Sequence, residues 1–135
     1  NACIPLLAAL CDARHIVSLE TSGAIDVSAV DPRVVKILDI KTPASKEEGR
    51  NRWANLALLQ PHDQIKFVIC DRADYDWAKG IVAEHGLNER HTVLFSPSAT
   101  QLPARELADW IVADRLNVRF QMQLHKILWG GEAGR

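Results

Sequence analysis

The chain is short of the features that would tie it to a bilayer, to a disulfide scaffold or to nucleic acid. Its longest apolar stretches are interrupted by Asp12, Lys36 and Lys66, so no run reaches the roughly 18 apolar residues of a membrane-spanning helix. Cysteine is sparse and odd in number: three residues, Cys3, Cys11 and Cys70, at spacings that match neither a disulfide framework nor a Cys-x-x-Cys metal knuckle. Such usage fits a reducing cytoplasm. There is no excess charge of one sign, because 16 Lys and Arg stand against 17 Asp and Glu for a net charge of -1. A bulk electrostatic partnership with nucleic acid is thereby excluded, since it depends on neutralising phosphates and releasing their counterions. The opening Asn1-Ala2-Cys3-Ile4-Pro5 has no Met and no basic segment, which argues against a signal peptide and leads us to expect that residues upstream are missing.

Several reaction classes are left without support. No Gly-x-Ser-x-Gly elbow, phosphate loop or Gly-x-Gly-x-x-Gly fingerprint occurs, so a serine hydrolase, a nucleotide triphosphatase and a dinucleotide enzyme have nothing to stand on. The histidines, His15, His62, His85, His91 and His125, are scattered without the paired spacing that holds zinc. No internal repeat or low-complexity tract is present.

What remains is ordinary globular material. The 135 residues, 47% hydrophobic and 24% charged, suit one domain over residues 1–135 with its own core. Apolar spacing predicts a helix over 4–11, then strands over 16–20 and 34–40, with Pro43 ending regular structure and 44–50 forming a loop or helix start. Trp53, Leu56 and Leu59 fit a helix face, and Ile65–Cys70 is the clearest buried strand. A capped helix follows over 71–86, with Trp77, Ile81 and Val82 inward and Gly86 as its stop. A fourth strand over 92–95, a loop over 96–100, an amphipathic helix over 102–116 and a fifth strand over 118–124 complete the chain. Strands alternating with helices imply right-handed crossovers, a mainly parallel sheet and hence an α/β fold. In such folds ligands gather beyond the carboxyl ends of the strands.

The strand ends are polar: Glu20-Thr21-Ser22-Gly23, Asp39-Ile40-Lys41-Thr42, Ser96-Pro97-Ser98 and Gln123-Leu124-His125-Lys126. Any one of these segments can be read as a helix cap or a solvated loop; together they form a rim that suits a polar ligand. In the fifth strand, alternation puts Val118, Phe120, Met122 and Leu124 on one face and Arg119, Gln121, Gln123 and His125 on the other. That makes it either an edge strand facing water or a strand lining a cavity. Gln64 and Lys66 interrupt an otherwise apolar strand, as ligand contacts or as strand-start residues reaching for solvent. Cys70 reads as a buried small hydrophobe, with a nucleophile as the rival reading.

In combination five segments resemble the 7-carboxy-7-deazaguanine synthase family: Ser18–Gly23, Asp39–Pro43, Ile65–Ile69, Phe95–Pro97 and Arg119–Gly130. The likeness runs in order through nearly the whole chain. It implies a partial (β/α) barrel of the radical S-adenosylmethionine type, with about five of its strand-helix units in these 135 residues. It also implies radical contraction of the ring of 6-carboxy-5,6,7,8-tetrahydropterin with loss of ammonia, on the path to queuosine and other 7-deazapurines. The implied cofactors are S-adenosylmethionine, a [4Fe-4S] cluster and Mg2+, the cofactor doing the difficult chemistry while the protein places the reactants. An electron donor such as flavodoxin, a cytoplasmic location and a homodimer involving Trp129 are further expectations.

Residue by residue, the resemblance gives Thr21, His125 and the carboxylate of Arg135 to the substrate. It gives Gly23, Gln64, Ile65, Lys66, Ser96, Pro97, Ser98 and Ala99 to S-adenosylmethionine. The family's Cys-x-x-x-Cys-x-x-Cys loop has no counterpart here, and neither has its Gly-Gly-Glu segment. We therefore expect a truncated chain, inactive alone, whose parent is the enzyme. A cluster-free binding or scaffold domain and a different radical enzyme, such as one that makes a glycyl radical, are the alternatives, because this architecture serves many reactions.

Overall fold

A computed structural model describes residues 2–130 and 132. The sequence expectation of an α/β chain holds: five strands, β1 (Ser18–Thr21), β2 (Val35–Ile40), β3 (Gln64–Ile69), β4 (Thr92–Pro97) and β5 (Arg119–Phe120), lie side by side in chain order. Every neighbouring pair is parallel. Between them run α1 (Cys3–Asp12) ahead of β1, three 3-10 turns at Pro43–Ser45, Glu48–Arg50 and Trp53–Leu58, then α2 (Arg72–Glu84), α3 (Leu87–Arg90), α4 (Ala104–Ala113) and α5 (Leu124–Trp129).

The two faces of this sheet differ, and the difference positions everything that follows. Leu38, Ile40, Ile65, Phe67, Ile69, Val93 and Phe95 pack with Tyr75, Ala78 and Val82 of α2 and Leu107 and Ile111 of α4. Phe95 stands edge-on to Phe67 and Tyr75, with ring centroids 5.5 and 5.9 Å apart, the arrangement that aromatic quadrupoles favour. A smaller core of Leu7, Val17, Val27, Val30 and Val34 lies beneath α1. In β2 and β3 the residues between these apolar ones are only half-buried. A parallel sheet ordinarily buries both faces; here the second face carries Glu20, Gln64 and Thr92 in one row and Asp39, Lys66 and Arg119 in the next.

Two expectations from the sequence need correction. The fifth strand covers two residues rather than 118–124. Beyond the bond from the Gln121 N–H to the Phe95 carbonyl the chain leaves the sheet edge and turns into α5, which carries His125. The alternation of apolar and polar residues there has no partner strand to pair with. The segment around Trp53, Leu56 and Leu59 forms a 3-10 turn instead of an amphipathic helix. Asn55, in the middle of that turn, is fully buried and donates to the carbonyls of Gly23 at 3.1 Å and Ile25 at 2.8 Å.

Gly23 has φ +74°, and a Cβ built on it would lie 2.9 Å from the Asp39 carbonyl oxygen. Both facts require glycine. Gly23→Ala is therefore expected to destabilise the chain by roughly 1–3 kcal/mol, the cost of one strained backbone position. Thermal unfolding checks this, and an unchanged melting temperature would contradict it.

The α2–α4 contact closes with Tyr75, whose hydroxyl donates to the Asp114 carboxylate at 3.0 Å while Lys79 Nζ approaches the same oxygen at 2.7 Å. Burial, then the Asp114 carboxylate, pushes the Tyr75 phenol up to about 12. The phenol stays neutral in the folded chain at a pH where the unfolded chain ionises, so its stabilisation is complete below about pH 10 and is lost as pH rises through about 12. Tyr75→Phe should flatten that alkaline limb in urea denaturation. A variant with the same alkaline loss as the wild type would show that the phenol is not its source.

Candidate functional site

The residues that sequence reasoning singled out run from the amino end of β3, where Gln64 stands, to the segments beyond the carboxyl ends of β1 to β4. Gln64, Lys66 and Val68 of β3 share the open face with Leu94 and Ser96 of β4, Lys66 being in register with Leu94 and Val68 with Ser96. Lys66 Nζ is ion-paired with Glu20 Oε1; the lysine is 13% exposed and the glutamate 56%. On the adjoining strand Lys41 Nζ meets Asp39 Oδ2 at 2.8 Å. Three neighbouring strands therefore present alternating charges across one open face.

Two buried atoms in this region have no hydrogen-bond partner: Asp39 Oδ1 and Ser96 Oγ. Buried oxygens are normally satisfied. Asp39 lines a cavity at this end of the sheet, while Ser96 is fully buried.

A cavity of about 290 Å³ opens beside them, lined by Asp39, Lys41, Thr42, Ser45, Cys70 and Ser98 among others. The Cys70 thiol is pushed up, first by burial and then by the Asp74 carboxylate, which holds it as a neutral thiol and disfavours the nucleophile reading. A second cavity, about 410 Å³, lies between the loop after β4 and α5, with Pro97, Ala99, Met122, Gln123 and Lys126 in its walls.

The expected site residues fall into distinct situations. Lys66, Gln64 and Ser96 share the open face. Ser98 lines the first cavity, and Pro97 and Ala99 the second. Ile65 is fully buried in the helix-packed core, in a strand paired on both sides. Gly23 is held by bonds from the Arg52 N–H and the Asn55 amide to its carbonyl. Thr21 ends β1 in register with Leu38, whose side chain belongs to the helix-packed core. His125 is exposed on α5. Arg135 lies outside the described residues.

Sequence reasoning did not mark the groups that hold this end of the sheet together. Asn51 pairs with the backbone of Lys41 in both directions, at 2.9 and 2.8 Å, and Asn55 and Asp74 are buried behind the loops. A sequence signal existed for one of them: Asp71-x-x-Asp74 has helix-cap spacing, and Asp71 Oδ1 accepts the Asp74 N–H at 2.8 Å.

The cysteines do not make a cluster site. Cys3 and Cys11 sit at the two ends of α1 and Cys70 just beyond β3. Among the described residues no group of three His, Cys, Asp or Glu could hold a metal ion.

A parallel sheet with helices packed on one face and polar side chains among those of the other is the wall of an α/β barrel. Comparison with solved structures places the fold there: the chain matches QueE from Escherichia coli with a TM-score of 0.67 at 18% identity, covering 89% of this chain and 49% of that one. No protein-family model matches.

Among curated proteins the chain is homologous to 7-carboxy-7-deazaguanine synthases. It is 47% identical to that of Chlorobaculum tepidum over 131 residues, 95% of this chain and 60% of the relative. It is 40% identical to that of Koribacter versatilis over 96% of this chain and 63% of the relative, and 35% identical to that of Leptospira interrogans over 86% and 50%. The chain thus spans 60 to 63% of the length of the first two relatives.

Proposed function

We propose that this chain forms one wall of a 7-carboxy-7-deazaguanine synthase, a radical S-adenosylmethionine lyase that contracts the ring of 6-carboxy-5,6,7,8-tetrahydropterin with loss of ammonia. The observation that carries the proposal is the 47% identity to the Chlorobaculum tepidum synthase across 95% of the chain. The open face supports it, because Asp39 Oδ1 and Ser96 Oγ are buried and unsatisfied beside a lysine held by one exposed carboxylate.

S-adenosylmethionine fits this donor and acceptor set. Ser96 and Ser98 offer hydroxyls, Lys66 a cation for a carboxylate, Gln64 an amide, and the backbone near Ile65, Pro97, Ala99 and Gly23 close approach. Bound there and given one electron by a reductant, S-adenosylmethionine would supply the radical that begins the substrate's rearrangement. The chain's part is to orient it, to keep its charged end neutralised and to hold water away through the half-buried rows of β2 and β3 and the buried Leu94 and Ser96 of β4. Thr21, His125 and Arg135 are our assignments for the pterin.

An iron-sulfur cluster does not fit the three cysteines of this chain, and no step is assigned to one held by them. Mg2+, a flavodoxin-like electron donor, a cytoplasmic location and a homodimer are further parts of the reading. The dimer draws on Leu124, Ile127, Leu128 and Trp129, which α5 leaves exposed.

The test is to load the protein that carries this sequence with iron and sulfide and supply S-adenosylmethionine, reductant and the pterin. Formation of 7-carboxy-7-deazaguanine is expected. A cluster-loaded protein that cleaves S-adenosylmethionine but forms none of this product would point to another radical reaction, and one that binds neither ligand to a scaffold role.

A further inference from the structure

Asp74, which raises the Cys70 thiol from behind the site, is also the most heavily bonded carboxylate near it. Its side chain is almost fully buried in the first turn of α2. Oδ2 accepts the Thr42 hydroxyl at 2.8 Å and the Cys70 N–H at 3.1 Å, and Oδ1 accepts the Ala44 N–H at 3.0 Å. These donors come from the exits of two different strands: Thr42 and Ala44 follow β2, Cys70 follows β3.

All three donor residues line the 290 Å³ cavity, whose walls also include Asp39, Lys41 and Ser98, while Asp74 is not among the lining residues. One carboxylate behind the wall therefore fixes two adjacent strand exits in front of it. The sheet's packing does not depend on these bonds, since Ile65, Phe67 and Phe95 are held by apolar contacts with α2 and α4.

We propose that Asp74 is a positioning residue: it sets the spacing of the β2 and β3 exits, and so the shape of the hollow that receives the ligand. Its effect on ligand affinity rests on the reading that this hollow takes S-adenosylmethionine; its effect on the loops does not. No covalent step is involved. A carboxylate is needed because the Ala44 and Cys70 N–H groups sit on its two different oxygens, and an amide of the same size would turn an NH2 group toward one of them; the Thr42 hydroxyl also reaches the Val68 carbonyl, at 3.1 Å.

The experiment compares the wild-type chain with Asp74→Asn, Thr42→Val and Thr42→Ser by amide hydrogen exchange and by titration with S-adenosylhomocysteine, a non-reactive analogue that lacks the sulfonium methyl group. In Asp74→Asn the Ala44 and Cys70 amides should exchange at least about tenfold faster, with the Ile65 and Phe67 amides unchanged, because local opening is separable from global unfolding. The dissociation constant should rise about tenfold in Asp74→Asn and in Thr42→Val, the loss expected when a charge-assisted bond to an ordered wall is removed. Thr42→Ser, which keeps the hydroxyl, should stay near wild type. Acceleration spread evenly over all amides would overturn the proposal by reducing Asp74 to a stability residue. Loop amides that quicken without any change in affinity would overturn its positioning role. If Asp74→Asn does not fold, Thr42→Val carries both readouts. A wild-type chain that takes up no S-adenosylhomocysteine would refute the cofactor reading of the hollow, and the exchange data would still decide the role of Asp74.

Discussion

Replacing Asp63 by alanine is expected to cost roughly 3–5 kcal/mol of stability, the usual penalty for breaking a buried ion pair from one side. Asp63 and Lys36 are both almost wholly buried, with Lys36 Nζ 2.9 Å from Asp63 Oδ2. The same carboxylate accepts the backbone N–H of Lys36 at 2.7 Å and of Gln60 at 2.8 Å. Asp63→Ala would strand a buried ammonium and two backbone donors at once. Lys36→Met should be milder, because Asp63 keeps both backbone bonds and methionine fills the lysine's path. The order of the urea midpoints, Asp63→Ala well below Lys36→Met, checks the account. Equal losses would mean that the charge pair, rather than the backbone bonds, carries the stabilisation.

Lys66→Met is expected to weaken binding of S-adenosylmethionine by roughly 10- to 100-fold, the equivalent of one hydrogen bond to a charged group at about 1.5–3 kcal/mol. The fold should survive, because the lysine's partner Glu20 is 56% exposed and an exposed pair contributes only about 0–1 kcal/mol. The same weak pair predicts the opposite sign for Glu20→Gln. Removing the resident carboxylate frees the ammonium for the ligand's own carboxylate, so affinity should rise, by no more than about 5-fold given the small worth of such pairs. Titration calorimetry on both variants reads the contrast. Two variants that weaken binding equally would mean that Glu20 contacts the ligand rather than competing with it.

The parts of the fold that were legible in the sequence are those where the apolar period is enforced by burial. The runs of β2, β3 and β4 and the faces of α2 and α4 carry their pattern because alternate strand positions, from Leu38 and Ile40 through Ile65, Phe67 and Ile69 to Val93 and Phe95, pack into one core. The end of the chain misled for the same reason in reverse: from Val118 to Leu124 the residues alternate as in a strand, yet β5 is an edge strand whose pairing stops at Phe120. Alternation records which residues prefer to be buried and does not guarantee a partner.

The site was partly legible. Lys66 stood out as a polar residue in an apolar strand and Ser96 as the start of a polar loop; the structure extends β4 through Pro97 and puts both residues on one face of adjacent strands. Asn55, Asp63 and Asp74 did not stand out, because a polar residue in a loop, a short turn or the first turn of a helix looks solvated until its tertiary partners are known. Each proves to be buried, and each joins segments at least 27 residues apart, as Asp63 does with Lys36. Gly23 was read as a close approach of backbone to cofactor; its φ and the nearby Asp39 carbonyl give it a reason within the fold itself.

The most direct test is to follow backbone amide signals while S-adenosylhomocysteine is added to the protein. If the open sheet face is the cofactor wall, the amides of Lys66, Ser96 and Ser98 move together along one saturation curve, and Lys66→Met shifts that curve to higher concentration. Saturable movement confined to the opposite ends of the strands, around Arg90 and Asn117, with Lys66 and Ser96 unmoved, would contradict it.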